Sequence, residues 1–171
     1  SADRKKTTYF FTRDDLIKIK NNCLNANNLK SLVCALMFDT GCSFNEIIGL
    51  QNDDVFISKY SSYLIIRSNS MRPIKDIHKK RVIPLVGMSL WAAEKIKKSG
   101  SFLFNNLLLE KKNSTVSLEN LLNKWLKTLT NGKTSSSFKY SLIERLKDIE
   151  CPEDLVLEIL GKSKKTRLYN K

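Results

Sequence analysis

The sequence predicts a mainly α-helical fold with one small three-stranded antiparallel sheet, an α+β domain. Apolar residues recur at helical spacing in both halves of the chain, and the pattern changes to short β-rich segments only between Val55 and Leu85. Polar segments separate those short runs, as turns and loops do. At 171 residues the chain is expected to form a single domain over 1–171, long enough to bury a core without disulfide bonds.

Three helices are predicted before the sheet. Thr12 begins a capping-box sequence that opens a helix over residues 14–22. A buried helix over Leu29–Phe38 is predicted from apolar residues at helical spacing: Leu29, Leu32, Val33 and Leu36. Gly41 is expected to end it, because glycine tolerates the left-handed backbone. A short helix over residues 44–50 follows.

The sheet is predicted from three short segments rich in β-branched and aromatic residues, at 55–57, 62–67 and 81–85. A polar, basic loop at 68–80, which contains Pro73, joins the last two. We expect these consecutive segments to form one small three-stranded antiparallel sheet.

The remainder is predicted to be helical. The first of these helices carries Met88, Trp91 and Ile96 and ends at Ser99. A clean leucine stripe at 118–129 includes Leu121, and a polar break follows at 131–137. The next helix is predicted from four apolar residues: Phe138, Leu142, Leu146 and Ile149. Pro152 suits the first turn of a last helix that runs to Leu160.

The charge of the chain favours an anionic partner. Thirty Lys and Arg residues oppose 17 Asp and Glu residues, which gives a net charge of +13 and a pI near 9.7. Such a balance is typical of proteins that bind nucleic acid or an anionic membrane surface. No stretch approaches the ~18 apolar residues of a membrane helix, and no signal-peptide pattern is present. We therefore predict an intracellular protein that binds nucleic acid and not a membrane.

Metal and cofactor chemistry find no support in the sequence. The four cysteines stand at no metal-ligand spacing, and His78 is the single histidine. Neither a nucleotide-binding loop nor a Ser-His-Asp pattern is present. We expect neither a metal nor a cofactor.

Several motifs occur in an order that points to one family. Thr40 and Gly41 form a turn that Glu46 and an apolar helix follow. Residues 11–16 resemble an opening Leu-Thr-x-x-Glu, residues 80–85 read Lys-Arg-Val-Ile-Pro-Leu, residues 154–161 end in Leu-Gly, and Tyr169 follows. Together they resemble the C-terminal catalytic domain of tyrosine recombinases (phage integrases) over nearly all of the chain. The resemblance implies an integrase-like domain that acts on double-stranded DNA, typical of a phage or mobile element, whose N-terminal core-binding domain is absent from this chain.

The resemblance also implies an active site, from which this sequence departs. In the family a tyrosine attacks a phosphodiester, two arginines and a histidine stabilise the transition state, and a hairpin lysine protonates the leaving oxygen. Tyr169 is the candidate nucleophile, about two residues short of the family spacing, and Lys75 is the candidate general acid, one residue further from Arg81 than usual. Other residues stand at the remaining family positions: Ser43 for the first arginine, Phe138 for the histidine and Ser141 for the second arginine. Lys162 directly follows Leu-Gly, where the family has histidine or tryptophan.

Each of these positions also has a simpler interpretation: Phe138 as a core residue, Tyr169 as a tail tyrosine, Lys75 as a phosphate contact and Arg145 as a solvated surface residue. Ser43 and Glu46 also form a capping-box pattern, a purely structural role. Arg145 lies one turn beyond Ser141 and is an alternative second arginine.

The resemblance and the charge together predict a recombinase-like domain that binds DNA and does not cut it. The predicted DNA contacts are basic residues in the hairpin loop, in the helix after 137 and in the tail: Arg72, Lys75, Lys79, Lys80, Arg81, Lys139, Arg145, Lys164, Lys165 and Arg167. Oligomers of this chain on DNA are also expected. The alternatives are an active integrase that forms a 3′-phosphotyrosine through Tyr169, and an assembly module whose tail binds a partner protein.

Overall fold

The computed structural model describes residues 9–70, 72–99 and 114–169. Seven α-helices and three strands lie in those residues, and two short 3₁₀ turns (Asn52–Asp54 and Ile77–Lys79) flank the sheet. In chain order the helices and strands are α1 (Arg13–Ala26), α2 (Leu29–Phe38), α3 (Phe44–Ile48), β1 (Val55–Phe56), β2 (Tyr63–Ile66), β3 (Arg81–Pro84), α4 (Gly87–Lys98), α5 (Ser114–Leu129), α6 (Ser137–Asp148) and α7 (Glu153–Leu160). The predicted fold class is confirmed.

Local capping signals set the beginnings of the first helices. The Thr12 hydroxyl accepts from the Asp15 backbone N–H at 3.1 Å, and the Asp15 carboxylate accepts from the Thr12 N–H at 3.0 Å. Helix α1 then continues beyond the predicted end and stops before Asn27, whose φ of 43° is left-handed. Asn28 caps α2 in the same reciprocal way, so the boundary between the two helices is fixed by adjacent polar residues.

The sheet has the order β1-β2-β3, and both pairs are antiparallel, as predicted. Leu64 of β2 pairs with Ile83 of β3, and both side chains are buried. Alternate residues of β2 face the core, because side chains of a strand point to opposite sides. The sheet therefore covers the core with one face and leaves the long β2–β3 loop at the edge of the domain.

Helix α2 lies at the centre of the core, and α1, α3, α4 and α5 pack against it or beside it. A smaller apolar cluster between α6 and α7 contains Leu142 and Val156. Two apolar residues that helped to predict α5 and α6 are exposed. Leu121 is exposed because it lies on the outer side of α5 beside the buried Leu122, and Ile149 is exposed because α6 ends at Asp148.

The described helices include none that is long and apolar enough to cross a membrane. All four cysteines are unpaired, and three of them are fully inside the core.

Candidate functional site: a basic cleft

A cleft of about 790 Å³ lies where four separate parts of the fold meet. Ser43 comes from the beginning of α3, Lys75 and Lys79 from the β2–β3 loop, Lys139 from the first turn of α6, and Lys162 from the turn after α7. These segments are distant in sequence, so only the tertiary fold brings their side chains together. Four lysines around one opening make a surface that attracts anions.

Ser43 forms the N-cap of α3. Its hydroxyl accepts from the Glu46 backbone N–H at 3.2 Å, and the Glu46 carboxylate accepts from the Ser43 N–H at 3.0 Å. The structural alternative for Ser43, a capping box, is therefore present. The residue is exposed at the cleft, but it brings no positive charge to it.

Arg81 forms an ion pair with Glu46, whose carboxylate belongs to a residue that lines the cleft. The side chains are only 6% and 15% exposed, and Nη1 of Arg81 lies 2.6 Å from Oε2 of Glu46. Arg81 also donates to the backbone oxygens of Ile159 and Lys79, at 2.7 and 2.8 Å. Burial alone would raise the pKa of Glu46, but the hydrogen bond and charge of Arg81 hold it below its usual value. Arg81 therefore joins β3, α3 and α7, and its role as a DNA contact stays a prediction.

Arg72 also folds back onto the protein while it lines the cleft. Its guanidinium donates to the backbone oxygen of Glu46 and, at 3.0 Å, to that of Arg67. The side chain lies directly over Gly49, where an added Cβ would approach Nη1 of Arg72 to 2.9 Å. Burial lowers the pKa of Arg72. Arg72 thus fixes the base of the β2–β3 loop, which carries Lys75 and Lys79 on the cleft.

Lys139 is the residue of α6 that lines the cleft. It is half-buried, and burial lowers the pKa of its ammonium group; Glu46 opposes that shift, whereas Lys162 and Arg81 add to it. The electrostatic effect of Lys162 on Lys139 indicates two cations at one wall of the cleft. An anion placed there would relieve their repulsion.

Phe138 and Ser141, the predicted family positions on this helix, do not face the cleft. Phe138 is fully buried and packs edge-on against Phe11, with ring centroids 4.8 Å apart. The Ser141 hydroxyl accepts from the Phe11 N–H and donates to the Ser137 carbonyl, both at 2.7 Å. The interpretation of Phe138 as a core residue is confirmed, and Ser141 lies on the same face of α6, which packs into the core.

Arg145 lies away from the cleft. Its guanidinium donates to Oδ1 of Asp39 at 2.6 Å and to the carbonyl of Phe38 at 3.2 Å, and it sits 5.3 Å from the centre of the Phe38 ring. Asp39 also accepts from the Met88 N–H at 2.8 Å. Arg145 thus connects α6 to the end of α2, and it does not line the cleft.

Tyr169 is held outside the set of residues that line the cleft. Its hydroxyl donates to the Cys151 carbonyl at 3.1 Å, and the backbone N–H groups of Leu168 and Tyr169 donate to the Glu153 carboxylate at 2.7 and 3.3 Å. Burial raises the pKa of Tyr169, and the charges of Cys151 and Glu153 raise it further. The phenol in this arrangement serves as a hydrogen-bond donor that ties the tail to the α6–α7 turn.

A second basic depression of about 700 Å³ adjoins the cleft at Lys162 and Ser163. Lys80, Lys164 and Lys165 line it, and Arg167 is exposed nearby in sequence. Within the described parts of the chain, no group of three or more His, Cys, Asp or Glu residues is placed to hold a metal.

No family model matches the chain, and no curated protein sequence matches it. Solved structures do. The Tn1549 transposon integrase in complex with transposon right-end DNA aligns with 95% of this chain and 61% of that chain, at 16% identity and a TM-score of 0.61. This chain has an integrase fold.

The same integrase in complex with circular intermediate DNA aligns with 95% of this chain and 62% of that chain, at 13% identity and a TM-score of 0.60. The chain thus spans about three fifths of the integrase chains that it matches. The expectation of fold from the family resemblance is confirmed.

Proposed function

We propose that this chain binds double-stranded DNA through the basic cleft, as a recombinase-like domain that does not cleave the strand. The observation that carries the proposal is the meeting of Lys75, Lys79, Lys139 and Lys162 at one opening. The integrase fold supports it, because the two similar structures are integrases in complex with DNA. Lysines bind backbone phosphates without reading sequence, so binding should tolerate changes of sequence.

The geometry of α6 suggests a revised position for the family motif. Ser136 and Lys139 keep the His-x-x-Arg spacing, and Lys139 reaches the cleft whereas Ser141 does not. We therefore place Lys139 at the second arginine position. Lysine gives a phosphate a point charge, but it lacks the planar fork of arginine that holds two oxygens at once.

Three features argue against strand cleavage. Ser43 supplies no charge at the first arginine position, Lys139 supplies no fork at the second, and the Tyr169 hydroxyl is directed to the Cys151 carbonyl. The loss of one charged or hydrogen-bonding donor to a developing oxyanion costs about 10²–10³ in rate. The combined loss would remove a slow reaction, although such losses do not add simply.

One nicked suicide substrate with a fluorescent label tests both parts of the proposal. We expect a rise in fluorescence anisotropy as protein is added, which reports binding, and no covalent protein–DNA band on a denaturing gel. A covalent band that persists in Tyr140→Phe and disappears in Tyr169→Phe would overturn the inactive assignment and support the active integrase. Absence of any anisotropy change at low salt would overturn DNA binding itself.

A further inference from the structure

The basic cleft continues into a smaller depression of about 260 Å³ on the other side of Lys139. Ser43, Asn45 and Lys139 line both, so the two spaces share a wall. The smaller depression lies between α3 and the beginning of α6. A strand whose phosphates lie in the basic cleft therefore passes the entrance of this second space.

The chemistry of the smaller depression differs from that of the cleft. It has one ammonium group, on Lys139, and one carboxylate, on Glu119. Met37 and Phe44 contribute apolar surface from the edge of the core, and Ser135 and Ser136 contribute hydroxyl groups. A near-neutral, partly apolar space has no advantage for a phosphate, but it suits a flat neutral ring with polar edges.

One exposed aromatic ring lines this depression, and a second lies beside the first. Tyr140 lines it and is 50% exposed, although it belongs to a helix whose neighbouring side chains are buried. Tyr9 is 73% exposed, and its ring centroid lies 6.5 Å from that of Tyr140 at an interplanar angle of 52°. The Phe11 N–H bond to Ser141 holds the segment after Tyr9 beside α6. Exposed aromatic rings next to a cationic groove are the usual means of holding unpaired bases by stacking.

We propose that this depression holds an unpaired nucleobase, stacked on Tyr140, of a strand whose backbone lies in the basic cleft. The proposal rests on the proposed DNA binding and adds that the chain prefers DNA with an unpaired segment. The Glu119 carboxylate is placed to accept a hydrogen bond from an exocyclic amine of the base, a pairing of the kind that carboxylates make with cytosine. Lys139 contacts the adjoining phosphate.

The test compares two fluorescent duplexes of identical length, one fully paired and one with a short central bubble of mismatched pairs. We expect wild type to bind the bubble about 5- to 140-fold more tightly, the range given by the stacking of one base. Tyr140→Leu keeps apolar bulk but removes the ring, so it should lose this preference and leave affinity for the paired duplex unchanged. Tyr140→Phe keeps the ring and should keep the preference.

The matched control is Tyr60→Leu, which removes a tyrosine that is 90% exposed in the β1–β2 connection and lines none of the depressions at the cleft. It should bind both duplexes as wild type does. The base site would be overturned if wild type bound the two duplexes equally, or if the preference for the bubble survived in Tyr140→Leu. Binding of the paired duplex would in both cases still support the proposed function. Failure to bind either duplex would overturn both.

Discussion

Replacement of Arg81 by Met would break the ion pair at the wall of the cleft and leave Glu46 buried without its cation. Arg81 makes a 2.6 Å contact with Glu46 and donates to two backbone oxygens, and its side chain is almost fully buried. Removal of one partner of a buried pair typically costs about 3–5 kcal/mol, because the other charge stays desolvated. We therefore expect Arg81→Met to lower the free energy of unfolding by roughly that amount.

Urea unfolding followed by circular dichroism measures this loss. Lys79→Met is the matched control, because it removes an exposed lysine of the same segment and should change stability by less than about 0.5 kcal/mol. The double variant Glu46→Gln with Arg81→Met should lose less than the sum of the single variants, because Gln carries no charge to be left buried and unpaired. The reasoning would be refuted if Arg81→Met unfolded like wild type and bound DNA with reduced salt dependence, since Arg81 would then face DNA.

Three further predictions follow from the same contacts. Gly161→Ala should destabilise the fold by more than about 1 kcal/mol in urea unfolding, because the residue has a φ of +65° and an added Cβ would lie 2.8 Å from Nη1 of Arg81. Gly132→Ala is the control: Gly132 also has a positive φ but lies in open space, so this substitution should cost less. Ser43→Ala should cost about 0.5–2 kcal/mol in the same assay through loss of the α3 cap, whereas Ser43→Thr should cost less. Equal stabilities of the two variants would contradict the capping role. The pKa of Glu46 is lower in the folded chain than in the unfolded one, where it is about 4.3. Its ionised carboxylate therefore stabilises the fold above the unfolded pKa, and this stabilisation is lost as pH falls through the folded pKa. Between about pH 7 and pH 3, the free energy of unfolding should fall more steeply for wild type than for Glu46→Gln.

The elements of this fold were predictable because their signals are local. Residues a few positions apart determine three features: the capping pair of Thr12 and Asp15, the boundary between α1 and α2 at Asn28, and the alternation of buried residues in β2. Local signals do not show which side of a helix faces the core. The exposed Leu121 differs from the buried Leu122 only in the side of α5 on which it lies.

The candidate site was predictable only in part, because burial depends on tertiary contacts. The sequence shows Arg81 in a basic run with Lys79 and Lys80, but only the fold reveals that Glu46 and the Ile159 carbonyl enclose it. Counting along the family motif selected Phe138 and Ser141, whereas the N-terminal segment at Phe11 packs on that face of α6 and leaves Lys139 for the cleft.

The most direct test of the account measures how DNA affinity depends on salt when the cleft lysines are removed. Lys75, Lys139 and Lys162 come from three elements and line one opening. Because each neutralised phosphate contributes about −0.9 to the slope of log K against log salt, their replacement by Ala should flatten the slope by roughly 2.7 units. The control triple removes the same charge from exposed lysines that line no part of the cleft: Lys18, Lys20 and Lys127. The account predicts a flatter slope for the cleft triple and a wild-type slope for the control; equal slopes for the two triples would contradict it.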